Sequence, residues 1–193
     1  MSCYISDLSR CSFCTNLAEP VLPSYAWAET IYADDITFRL VTSADTHPFV
    51  AICDMYQVSK EELAEVLKNM ALWCIYNAEN QPVGAIQLDL YSTLENLKKQ
   101  VSDQKLVEYL FSSERCIELS YALTEQNRGK GLGSKVVAAF INHARSCEWG
   151  KHLFAVVSED NQPSIRILEK NNFSYIGNYQ HDETNENIRL YAC

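Results

Sequence analysis

Between residues 126 and 140 the chain reads QNRGKGLGSKVVAAF, where Gly129, Gly131 and Gly133 alternate with Arg128, Lys130 and Leu132. Ser134 and Lys135 then lead into an apolar run. The start of a helix leaves about four backbone N–H groups without partners and carries roughly half a positive charge. Glycines let an anion reach those donors with no side chain in the way. Arg128, Lys130 and Lys135 add positive charge around the same point. The chemistry this suits is the cradling of a diphosphate, by backbone more than by side chains. A plain loop with solvated lysines is the competing reading. Three glycines, three cations and a preceding apolar strand together favour the cradle.

The type of cradle is narrowed by spacing. The nucleotide-hydrolase loop requires four residues between its first glycine and a Gly-Lys pair, and this stretch lacks that arrangement. Gly129 and Gly131 match the first two glycines of the dinucleotide fingerprint, but Ser134 takes the third place. The next apolar run, HLFAVV, is followed by Ser158 and Glu159, so the fit to a nicotinamide-dependent oxidoreductase is partial and stays open.

Other reactive residue types are scattered. Cys11-Ser12-Phe13-Cys14 has metal or redox spacing but lacks a second ligand pair and a strand-to-helix setting. His143 falls near the middle of a helical pattern and His152 beside a strand start, both structural positions. No His/Cys/Asp/Glu group has metal-ligand spacing and no Ser-His-Asp signature is present, so no metal site is expected. Tyr121, Tyr175 and Tyr179 are candidates to line an acceptor pocket.

These residues need elements to position them. Residues 1–29 show no clean period and read as an extension ahead of a domain over 30–193. ITFRLVT alternates like a half-buried strand, with Ile36, Phe38 and Leu40 on one face. A short helix is expected around DTHPFVAICDMY. Ser59 and Glu62 form a capping box for another helix, whose apolar face reads Leu63, Val66, Leu67, Met70 and Ala71. LWCIYNAENQPVGAIQLDLY reads as two strands about a polar turn at Asn77 to Pro82. Ser92 and Glu95 open a helical insertion over about 92–114. CIELSYALT is a strand, and the glycine segment after it opens a helix with Val136, Val137, Phe140, Ile141 and Ala144 on one face. HLFAVV is a buried strand, PSIRILEKN a short helix, and FSYIGNY with IRLYAC a closing pair of strands. Strands at both ends with helices between them predict an α/β (α+β) domain with a mixed sheet.

Two motifs carry a family resemblance. Arg128-Gly129-Lys130-Gly131-Leu132-Gly133 resembles the Arg/Gln-x-x-Gly-x-Gly/Ala signature of the GNAT superfamily of acyl-CoA N-acyltransferases. NQPSIRILEKNNF resembles that family's second motif, Asn-x-x-Ser/Ala-x-x-Leu followed by Gly-Phe, and is similar in detail to the RimJ/RimL-like branch. About 30 residues separate Gly131 from Asn161, room for one helix and one strand, and the resemblance covers roughly Thr30 to Cys193. Asn172 replaces the glycine before Phe173, a position asparagine tolerates because it enters left-handed backbone conformations.

The resemblance implies a sheet of about six to seven strands, helices on both faces, and a splay between the fourth and fifth strands, CIELSYALT and HLFAVV. It implies acetyl-CoA as co-substrate and an amine acceptor, first a protein or peptide N-terminus and next a small amine. The pantetheine arm would lie along the backbone of Ala122, Leu123 and Thr124, where an N–H would polarise the thioester carbonyl. The diphosphate would sit on Arg128, Gly129, Lys130, Gly131, Leu132, Gly133 and Ser134, with Asn161 capping the next helix and touching the cofactor. Glu118, at the head of its strand, is the candidate general base. Many relatives place a tyrosine where Leu168 stands here, and Ser164 is the natural substitute as donor to the leaving thiolate. The rival of a different class is a non-catalytic acyl-CoA-binding module.

Composition sets outer limits. The 193 residues are 47% hydrophobic with a formal net charge of -9, which suits a folded core and disfavours nucleic acid as partner. Neither a secretory signal nor an apolar run of ~18 residues is visible, so a cytoplasmic protein without a membrane span is expected. Of the eight cysteines, Cys53, Cys74, Cys116 and Cys147 sit in apolar patterns and are expected to be reduced, small hydrophobes.

Overall fold

In β2 (Ile36–Leu40), Ile36 and Phe38 are buried and Thr37 less so, as the alternation in ITFRLVT predicts, whereas Leu40, expected on the same face, is only partly buried. The strand belongs to a computed structural model that describes residues 27–42, 46–68, 70–89, 117–147, 149–150, 153–181 and 184–193. The Ser92–Glu95 capping box, the insertion at 92–114, the Cys11–Cys14 pair, Cys116, His152 and most of the N-terminal extension lie outside the described residues.

The described strands form one eight-stranded mixed sheet in the order β1-β2-β3-β4-β5-β6-β8-β7. The others are β1 (Thr30–Ala33), β3 (Met70–Tyr76), β4 (Pro82–Asp89), β5 (Ile117–Leu123), β6 (Leu153–Ser158), β7 (Ser174–Gln180) and β8 (Asn187–Ala192). The sheet exceeds the expected six to seven strands because β1 folds back on β2 through Asp34, at φ 49, and Asp35. Aspartate enters that left-handed region more readily than most residues. CIELSYALT and HLFAVV are therefore the fifth and sixth strands.

Helices cover both faces. Helix α3 (Leu132–Arg145) buries the expected Val136, Val137, Phe140, Ile141 and Ala144. With α4 (Gln162–Lys170) it packs on the face that carries Leu119, Tyr121 and Leu123. Helices α1 (His47–Tyr56) and α2 (Lys60–Val66) put Phe49, Ile52 and Leu63 on the opposite face, against Leu72, Cys74, Ala85 and Ala122. β3 and β5 are covered on both sides, which is why MALWCIY and IELSYAL are nearly continuous apolar runs. Cys74 is buried, whereas Cys53 and Cys147 are only partly so.

The capping box at Ser59 forms in both halves, Glu62 N–H to Ser59 Oγ at 3.1 Å and Ser59 N–H to Glu62 Oε2 at 2.8 Å. The helix it opens is shorter than its apolar face suggests. It ends at Val66, and Met70 and Ala71 belong to β3, paired with Asp89 and Leu88. Ladder bonds to β4 take the backbone groups that a longer helix would have used.

Gly84 in β4 lies opposite Leu123. A Cβ there would fall 2.8 Å from Leu123 Cδ2 and closer still to the Ala122 carbonyl oxygen. Gly84→Ala is expected to destabilise the fold by about 1–3 kcal/mol. That corresponds to a Tm lowered by roughly 2–12 °C in a calorimetric scan. An unchanged Tm would mean that β5 yields freely at this point. No described helix is long and apolar enough to cross a membrane.

Candidate active site

β5 and β6 run parallel but pair only through Ile117↔Leu153 and Glu118↔Phe154. Beyond that point β6 continues its pairing with β8, from Phe154↔Ala192 to Ser158↔Ile188, while β5 stays with β4. The two strands thus part after their first contact, leaving a V that opens toward their C-terminal ends.

The chain leaves β5 through Thr124, whose amide donates to the Val83 carbonyl at 3.0 Å. A short turn, Glu125–Asn127, follows. Arg128 Nε then reaches back to the Leu123 carbonyl at 2.9 Å, closing the loop onto the strand it has just left. Gly129 and Gly131 adopt φ 73 and 80, a region that favours glycine, and Gly131 is the N-cap of α3. Neither a capping side chain nor an acidic residue occupies the first turn of α3, so its positive end is not offset locally. A Cβ built at Gly129 or Gly131 meets nothing within 4 Å. The turn is open, not plugged by its own side chains, and it can receive a diphosphate.

A cleft of about 390 Å³ joins this turn to the V. β5 contributes Ala122 and Leu123; the loop and first turn of α3 contribute Arg128, Gly129, Gly131, Gly133 and Ser134. Asn161 and Ser164 enter from α4. The structure therefore brings nine of the sequence-derived positions together. Thr124, Lys130 and Leu132 are not in the cleft wall. The Thr124 amide is committed to β4, and Lys130 Nζ turns back to the Gln126 carbonyl at 2.9 Å. Lys135 also points elsewhere, its Nζ lying 3.3 Å from Asp35 Oδ2.

Asn161 caps α4 as expected, its Oδ1 accepting from the Ser164 amide at 3.2 Å. Asn172 takes the left-handed conformation, φ 63, that the family's glycine would supply. Glu118 is buried, 8% exposed, at the vertex of the V and opposite Asp89 across the β4 ladder. Strand alternation places it on the α1/α2 side of the sheet, the side away from Tyr121.

Two features could not be found from spacing. Tyr56 Oη donates to the Ala122 carbonyl at 3.2 Å, tying α1 to the wall of the V. Burial pushes the Tyr56 hydroxyl well above the ordinary tyrosine range, so it stays a donor throughout the working pH range. Tyr121 Oη lies 2.7 Å from Ser164 Oγ, both buried in the cleft wall. Of the three tyrosines singled out in the sequence, Tyr121 is the one in this wall, and Tyr175 is 52% exposed on β7.

A family model described as an acetyltransferase (GNAT) domain matches residues 27–174. No curated protein sequence matches the chain. Among solved structures, it is similar to the acetyl transferase from Salmonella typhimurium that modifies the N-terminal serine of ribosomal protein L7/L12, at 16% identity and a TM-score of 0.57. That match covers 84% of this chain and 97% of the other. RimL, the ribosomal L7/L12 alpha-N-protein acetyltransferase, in complex with coenzyme A is similar at 16% identity and TM-score 0.59, covering 84% and 96%. Spermidine N-acetyltransferase from Vibrio cholerae, a dodecamer, gives 11% identity and TM-score 0.57, covering 82% and 93%.

Proposed function

The chain belongs to the GNAT acetyltransferase family, as an acyl-CoA-dependent N-acetyltransferase that uses acetyl-CoA, and from that premise we propose that its acceptor is the N-terminal amine of a protein or peptide. The observation that carries the reading is the V between β5 and β6 opening directly onto an unblocked helix N-terminus. Diphosphate binds at the amides around Gly131 to Ser134, with Arg128 beside it. The pantetheine arm lies along Ala122 and Leu123, whose carbonyls are held by Tyr56 and Arg128. An amide on that edge polarises the thioester carbonyl as negative charge develops on its oxygen.

The amine approaches from the α1/α2 side, where Glu118 accepts its proton directly or through one water. At neutral pH a lysine-type amine costs roughly 4 to 5 kcal/mol to deprotonate, whereas an α-amine with pKa about 7.7–8.0 costs about 1 kcal/mol. This difference favours an N-terminal acceptor for a single buried carboxylate. The resemblance to RimL supports the same acceptor class, and the spermidine enzyme supports a small amine as the second reading. We place the enzyme in the cytoplasm, with its oligomeric state open.

The test is thiol release from acetyl-CoA with a panel of short peptides, their N-acetylated counterparts, and spermidine. Turnover with free N-termini and none with blocked ones is expected. Turnover with spermidine alone moves the enzyme to the small-amine reading. Thermal stabilisation by CoA without turnover on any amine supports the non-catalytic module, and stabilisation by NAD but not CoA overturns the cradle assignment.

A further inference from the structure

β5 and α4 bring together two hydroxyls 43 residues apart, Tyr121 Oη and Ser164 Oγ, at 2.7 Å. Both residues are buried, 9% and 6% exposed, and both form the wall of the cleft. Tyr121 is the third residue of β5 beyond Glu118, the last to pair with β6, so it stands where the V opens.

Acetyl transfer expels a thiolate, and the groups in this wall with an exchangeable proton are few. They are the hydroxyls of Tyr121, Ser134 and Ser164, the Asn161 amide and the Arg128 guanidinium. A guanidinium keeps its proton in proteins and a carboxamide is not an acid in this range. Ser134 belongs to the first turn of α3, at the diphosphate end. Of the remaining pair, a phenol is by its chemistry a far stronger acid than an aliphatic alcohol.

We infer that Tyr121 is the catalytic residue that protonates the departing thiolate, and that Ser164 is a positioning residue that donates its hydrogen bond to Tyr121 Oη. The assignment rests on the acetyl-transfer reading above and replaces Ser164 as the direct proton donor. In this direction the serine hydrogen bond stabilises the phenolate left behind. So does the N-terminus of α4, whose first turn carries no acidic residue. The Asn161 cap fixes the turn that holds Ser164. The step balances: the amine nitrogen bonds to the acyl carbon and the C–S bond breaks with its electron pair on sulfur. The Tyr121 proton passes to sulfur, giving CoA thiol and a phenolate. The proton lost by nitrogen goes to Glu118 or water, and the phenolate regains one from water after CoA departs.

The experiment compares the full chain with Tyr121→Phe and Ser164→Ala, each with acetyl-CoA and with acetyl-seleno-CoA. The selenolate is a much weaker base than the thiolate and departs without a proton. Tyr121→Phe is expected to lower kcat with acetyl-CoA by about 10²-fold, leave KM for acetyl-CoA unchanged and recover near wild-type kcat with the selenoester. Ser164→Ala is expected to lower kcat less and to move the alkaline limb of the kcat–pH profile upward, with Ser164→Thr restoring it. Equal losses with both donors, or an unimpaired Tyr121→Phe, overturn the role of the tyrosine alone. Absence of wild-type turnover with any amine overturns the acetyl-transfer reading and this role with it.

Discussion

Glu118→Gln is expected to lower kcat/KM for acetylation of a free peptide N-terminus by about 10²–10⁴-fold at neutral pH. The substitution keeps the size and shape of the side chain at a site that is 8% exposed, so packing beside Asp89 and Phe154 is retained. What it removes is the ability to accept a proton at the vertex of the V. The variant then depends on amine already free in solution. Its residual rate should rise about tenfold per pH unit and level off near the α-amine pKa of about 7.7–8.0. Wild type should reach its plateau at lower pH. Affinity for CoA, measured by calorimetry, should not change, because Glu118 lies outside the wall of the cleft proposed for the coenzyme. A variant with wild-type kcat/KM at neutral pH would falsify the assignment of Glu118 as base.

Gly131→Val carries the second large effect, on binding instead of chemistry. Gly131 holds φ 80, where an L side chain costs roughly 1–2 kcal/mol, and a β-branched one is worse placed still. The residue also lines the cleft at the N-cap of α3, so added bulk stands between the amides and an incoming diphosphate. A hydrogen bond to a charged group is worth about 1.5–3 kcal/mol, so losing two of them costs about 3–6 kcal/mol. CoA affinity should therefore fall by about 10²–10⁴-fold. Lys130→Ala is the contrasting control. Its ammonium turns back on Gln126, and exposed charges contribute little, so the loss should stay below about fivefold. If the lysine variant lost more affinity than the glycine variant, recognition would reside in side-chain charge and not in the backbone.

The part of this protein that was legible in its sequence is the part governed by neighbours a few residues apart. A capping box is complete within Ser59 to Glu62, and both halves form. The left-handed position at Asn172 follows from asparagine's tolerance of positive φ. The apolar stripe of α3 is set by the helical repeat alone, and all five of its expected residues are buried. These local features were enough to point to the family and to mark the open helix start at Gly131 as the proposed diphosphate cradle.

The same local reasoning carried α2 on through Met70 and Ala71, because a helical period and a buried strand share short apolar runs. Only pairing with Asp89 and Leu88 decides that those residues extend β3. Likewise, nothing near Lys135 reveals that Asp35, 100 residues earlier, draws its charge away from the cradle. The bond from Tyr56 to the Ala122 carbonyl spans 66 residues and that between Tyr121 and Ser164 spans 43. Sequence by itself determined the open helix start at Gly131 that we propose as the diphosphate cradle, since backbone amides at a helix start are created by local conformation. Tertiary structure alone decided which hydroxyl faces which, because strand register and helix docking bring distant side chains together and leave no trace in the spacing of either segment.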